Sequence, residues 1–189
     1  GANELLARLE SEKAAPQADL FITTDAGALD RADAAGLLDK LNSKTVAERI
    51  PEGLQGKNGT WVPITMRARV IVYSKERAGK NLPKTYKDLA DSQWKGRILI
   101  RSSSNAYNQS LLASILAAEG KDAALAWAKG VTANMARPPQ GNDRDQVRSV
   151  ALGLGELAVV NTYYLGLLEN ADDPKDRAAR AAVGVIFPN

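Results

Sequence analysis

The feature that most restricts the fold of this chain is the alternation of short β-branched runs with helical patterns along nearly its whole length. Residues 19–23, 67–73, 97–100, 156–160 and 183–187 read as strands, and residues 60–63 as a further one against Pro63. Between them, residues 4–9 place Leu5, Leu6 and Leu9 on one side of a helix that Ala15-Pro16 ends, and Thr24-Asp25-Ala26-Gly27 opens a helix to about residue 34. A small helix over 84–90 precedes Trp94. Residues 108–118 form a longer one with Leu111, Leu112, Ile115 and Leu116 predicted inward and Gly120 as its stop. Residues 122–129 and 143–152 add two more, the latter with Val147 and Val150 inward. Strands that alternate with helices predict an α/β fold with a largely parallel sheet.

At 189 residues the chain is long enough for one large core or two modest lobes, and no repeat or low-complexity tract intervenes. It opens on a bare helix and ends on an apolar strand, Ile186-Phe187-Pro188-Asn189, with no closing helix, which predicts a piece of something longer. No apolar run approaches the roughly 18–20 residues of a membrane span. Lys plus Arg number 25 against 22 Asp plus Glu, with the signs interspersed, so no nucleic-acid partner is expected.

The chain has no His and no Cys. Thiolate zinc, iron–sulfur clusters, Cys–His pairs and the Ser–His–Asp triad are therefore excluded. A bound metal must be held by oxygen, which suits magnesium, calcium or ferric iron.

Tyr163-Tyr164 follows a strand and Asn161. Adjacent side chains of a strand point to opposite faces, so two neighbouring tyrosines reach one ion only where the chain turns, as it does at a strand's end. A free phenol has a pKa of about 10, yet a trivalent cation displaces that proton, and tyrosinate is a hard donor matched to ferric iron. Two rings packed at a sheet edge would read the same. In Arg101-Ser102-Ser103-Ser104-Asn105-Ala106-Tyr107, hydroxyls, helix-start amides and an Arg could cradle an anion, with Tyr107 where α/β folds seat ligands; a plain N-cap fits too. Arg67 and Arg69 share a strand face that could neutralise an anion or form a solvated edge. Asp25 is either a carboxylate ligand or a helix cap.

On these stretches, together with Gly141-Asn142-Asp143 and Asn161-Thr162-Tyr163-Tyr164-Leu165-Gly166, the chain resembles the periplasmic ferric-iron-binding proteins of bacterial ABC transporters, most of all their cyanobacterial-type branch. The resemblance implies a type II-like, two-lobed clamshell, with residues 1–69 as a partial first lobe and 70–189 as a second lobe that crosses back at its end. It implies Fe(III) in the cleft on tyrosinates Tyr163 and Tyr164, with Tyr107 as the third, Asp25 where some relatives place a carboxylate, and Arg69, Arg101, Ser102, Ser103, Asn142 and Asn161 near a synergistic anion such as carbonate or lining the cleft. It further implies a periplasmic location, delivery to an ABC permease, a monomer when full length and no catalysed reaction. Family members carry an opening strand with a His or Tyr ligand near it and a tail after residue 187, neither of which is in this sequence. A clamshell for a small anion or organic solute, a lobe fragment without ligand function, and a small α/β enzyme using Tyr as acid or base remain as alternatives; against the enzyme stand the lack of His and of a Gly-rich phosphate loop.

Overall fold

The structure, a computed structural model, describes residues 1–188; Asn189, which closes the predicted last segment, lies outside the described residues. The chain divides into two compact units, one over Gly1–Met66 and one from Arg67 onward.

The first unit is helical. α1 (Ala2–Ser11), α2 (Ala26–Ala34) and α3 (Lys44–Arg49) are joined by irregular segments, and Leu6, Ala28 and Ala32 supply its buried apolar contacts. The strands predicted at 19–23 and 60–63 do not form. Leu20 and Ile22 remain 78% and 69% exposed, and a β-prone run without a neighbouring strand has nothing to bond its backbone to. At 60–63, Thr60 Oγ1 instead donates to Asp33 at 2.8 Å, and Pro63 has no N–H to give a ladder. α3, which Ser43 caps by accepting the Val46 N–H, escaped the periodicity reading.

The second unit is built on a four-stranded sheet in the order β2-β3-β1-β4, formed by β1 (Arg69–Ser74), β2 (Ile98–Leu99), β3 (Leu157–Asn161) and β4 (Val183–Ile186). Helical crossovers connect β2 to β3 through α4 (Ala106–Glu119), α5 (Lys121–Ala133) and α6 (Asp143–Ala151), and β3 to β4 through α7 (Tyr163–Glu169) and α8 (Pro174–Ala181). Those connections give β2, β3 and β4 a common direction, as the alternation predicts. β1 runs antiparallel to both β3 and β4 and separates them, so the sheet is mixed rather than largely parallel. This reversal places Arg69, at the amino end of β1, opposite Asn161, at the carboxyl end of β3.

Period-two alternation divides the core between the two faces of the sheet. Ile71, Leu157 and Val159 pack with Leu89, Trp94, Leu111, Ile115, Trp127 and Val131 on one side. Val70, Val72, Ala158 and Val160 pack with Val147, Val150, Leu165 and Leu168 on the other. With both faces covered, the strands read as continuous apolar runs, and each fully buried Val, Leu or Ile contributes about 1.5–3 kcal/mol. α4 begins earlier than expected and turns Leu111 and Ile115 inward, while Leu112 and Leu116 are 37% and 47% exposed. One residue on is about 100° further round a helix, so these two leucines lie off the buried stripe. The helix predicted at 84–90 is only a 3₁₀ turn, Lys87–Ala90, and α8, capped by Asp173 with Pro174 at its first position, was not anticipated.

Candidate metal centre

Asn105 is the N-cap of α4, its side chain accepting the Tyr107 N–H at 3.0 Å, and this cap puts Tyr107 in the helix's first turn. α7 starts directly after β3 and Thr162, so Tyr163 and Tyr164 fall in a first turn rather than on opposite faces of a strand. Their ring centroids are 4.1 Å apart, with planes inclined at 32°. The hydroxyls of Tyr107 and Tyr163 share a hydrogen bond at 3.2 Å. Three phenols from two helix starts therefore meet at the carboxyl ends of β2 and β3. Burial first, and then hydrogen bonds with Tyr107 and Tyr164, push the Tyr163 phenol well above the ordinary tyrosine range. A phenolate in this cluster needs a cation to compensate it.

The remaining tyrosines have other roles. Tyr73 lies in β1 against Gly184, and the Tyr86 hydroxyl donates to the Arg69 carbonyl at 2.5 Å, its phenol pushed up by burial against the opposing pull of Arg69.

Three guanidinium groups face the Tyr107 ring: Arg67 at 4.9 Å, Arg101 at 5.5 Å and Arg69 at 5.8 Å from its centroid. Arg69 and Arg101 are held by Asp143, which is fully buried. Arg69 Nη1 donates to Asp143 Oδ2 at 2.5 Å and to Asn161 Oδ1 at 3.3 Å, and its Nη2 donates to Asn108 Oδ1 at 2.6 Å. Arg101 Nη1 donates to Asp143 Oδ1 at 3.3 Å. Burial pulls the Arg69 pKa down while Asp143 opposes the pull. Breaking a buried pair of this kind by removing one partner costs about 3–5 kcal/mol.

The structure thus brings together Tyr107, Tyr163 and Tyr164, and beside them Arg69, Arg101 and Asn161. Ser102 pairs its hydroxyl with Ser104 at 2.8 Å, and Ser103 stands exposed in the same loop. Asn142 caps α6, accepting the N–H groups of Arg144 at 2.9 Å and Asp145 at 3.3 Å. Asp25, in the first unit, caps α2 by accepting the Gly27 N–H at 3.0 Å. Sequence reasoning missed Asp143 and Asn108. Asn108 carried a usable signal, since it stands on the same helical stripe as Leu111 and Ile115 and is buried with them.

Among the described residues no three Asp or Glu side chains gather to hold a metal ion, whereas three phenols do come together. Such a set favours a hard, highly charged cation.

Residues 15–188 match the bacterial extracellular solute-binding protein family. The chain is 46% identical over 188 residues to iron uptake protein A1 of Synechocystis sp., covering 100% of itself and 52% of that protein. The solved structure of Trichodesmium IdiA (FutA) in complex with iron and citrate ligands aligns with a TM-score of 0.94 and 45% identity, over 100% of this chain and 60% of that one. The ferric binding protein from Campylobacter jejuni gives a TM-score of 0.92 and 46% identity, over 100% and 60% of the two chains. The chain spans about half the length of the curated relatives it matches.

Proposed function

The chain belongs to the bacterial extracellular solute-binding protein family, with the mixed α/β fold of the type II ferric-binding members, and from that premise we propose that it captures ferric iron for delivery to an ABC permease. The ion is the cargo, and no reaction is catalysed. Tyr107, Tyr163 and Tyr164 supply the ligands, each losing its phenolic proton as it binds. The observation that carries this reading is the hydrogen bond between the Tyr107 and Tyr163 hydroxyls, with the tilted Tyr164 ring packed against that of Tyr163. Names of relatives support it: iron uptake protein A1, and a homologue solved with iron and citrate.

An anion such as carbonate would meet Arg101 and the Ser102–Ser103 loop beside the phenols. Release in the periplasm to the permease would follow hinge movement at the strand ends near Arg69-Val70 and residues 183–187. The test is iron content after loading with ferric citrate and desalting. The chain should retain iron in equimolar amount, and Y163F/Y164F should retain little. Equal iron in both would sink the proposal.

A further inference from the structure

The Asp143 carboxylate lies where the segments that carry the phenols converge. Its Oδ2 accepts Arg69 Nη1 at 2.5 Å and the Asn161 backbone N–H at 2.8 Å, and its Oδ1 accepts Arg101 Nη1 at 3.3 Å. Asn161 is the last residue of β3, two before Tyr163. Asn108, next to Tyr107, is tied into the same network: its Oδ1 accepts Arg69 Nη2 at 2.6 Å and its Nδ2 donates to the Arg101 carbonyl at 2.8 Å. One buried charge therefore reaches both helix starts, Tyr163-Tyr164 through Asn161 and Tyr107 through the two arginines and Asn108.

Capping does not account for this carboxylate. α6 is already capped by Asn142, and Asp145 closes the box by accepting the Asn142 N–H at 2.9 Å. Asp143, the first residue of that helix, instead directs its side chain to the strand ends.

Resting on the reading of the phenols as an iron site, we propose that Asp143 is a positioning residue for it: without touching the ion, its buried charge sets the spacing of the Tyr107 and Tyr163 hydroxyls and so the geometry and affinity of the bound iron. Groups that orient metal ligands from one step away behave in this manner.

The test compares D143N and R101Q with the parent chain, using citrate competition for affinity and the phenolate-to-iron absorption band for geometry, after melting curves have shown which variants fold. D143N should bind iron roughly 10- to 100-fold more weakly with a shifted band maximum. R101Q, which keeps the Asp143–Arg69 pair, should move both in the same direction by less. A folded D143N with parental affinity and band overturns the proposal, as does one whose melting point and bound fraction fall while its band stays in place. Should D143N fail to fold, R101Q with parental affinity and band overturns it. A parent chain without any band overturns this proposal and the iron reading together, whereas a parental band unmoved in the variants overturns this proposal alone.

Discussion

Arg69 and Asn161 stand directly opposite each other across the antiparallel β1–β3 pair, and the Arg69 guanidinium donates to the Asn161 amide oxygen at 3.3 Å. Had β1 run parallel to β3, Arg69 would lie at the far end of the sheet from the tyrosines. The reversed strand is what supplies the phenol cluster with a buried cation.

Tyr107→Phe and Tyr163→Phe should each weaken ferric binding by more than the roughly 10- to 100-fold typical of losing an outer partner, because each removes a direct donor. Citrate competition measures it. Tyr86→Phe, which loses only the hydrogen bond to the Arg69 carbonyl, should change affinity far less.

Iron affinity should rise with pH. The Tyr163 phenol titrates above the ordinary tyrosine range, so it is protonated throughout neutral and acid solution and the ion must displace its proton. Each displaced proton makes affinity fall about tenfold per unit of pH decrease. A competition titration that found equal affinity at about pH 7 and pH 5 would contradict phenolate ligation.

Arg148 Nε and Nη2 donate to the two Asp176 carboxylate oxygens at 2.6 and 2.8 Å, joining α6 to α8. Hydrogen bonding by Arg148 holds the Asp176 carboxyl below the usual carboxylate range. Its folded-state value lies under its unfolded one, so the pair stabilises the fold fully above about pH 4 and ceases to do so as the pH drops through the folded value. Melting curves of Asp176→Asn against the parent should therefore differ at neutral pH and converge in strong acid.

Gly130 sits inside α5, where glycine costs about 1 kcal/mol relative to alanine. A Cβ there would lie 2.9 Å from the main-chain oxygen of Ala90, in the 3₁₀ turn that α5 packs against. Gly130→Ala should destabilise the fold by about 1–3 kcal/mol in urea unfolding, despite its better helix propensity.

Much of this was legible in the sequence because it is local. The place of the tyrosine pair at a strand's end could be read, Asn105 and Asp25 announced helix starts, and the β-branched runs at 67–73 and 156–160 became β1 and β3. What was hidden depends on partners. A run of apolar residues does not state which way its strand will run, so the antiparallel β1 could not be read. The segment at 19–23 has strand propensity, and propensity without a neighbour gives no strand. Asp143 looks in sequence like any acid in a helix's first turn, and only the folded chain reveals that arginines from β1 and from just after β2 close on it.

The visible spectrum after addition of ferric citrate tests the central claim most directly. Phenolates bound to ferric iron produce a ligand-to-metal charge-transfer band that carboxylate or carbonate ligation does not. The account predicts a red or orange band in the parent chain that disappears when Tyr163 and Tyr164 are both changed to Phe. A parent chain that stays colourless, or a band that survives the double substitution, would contradict it.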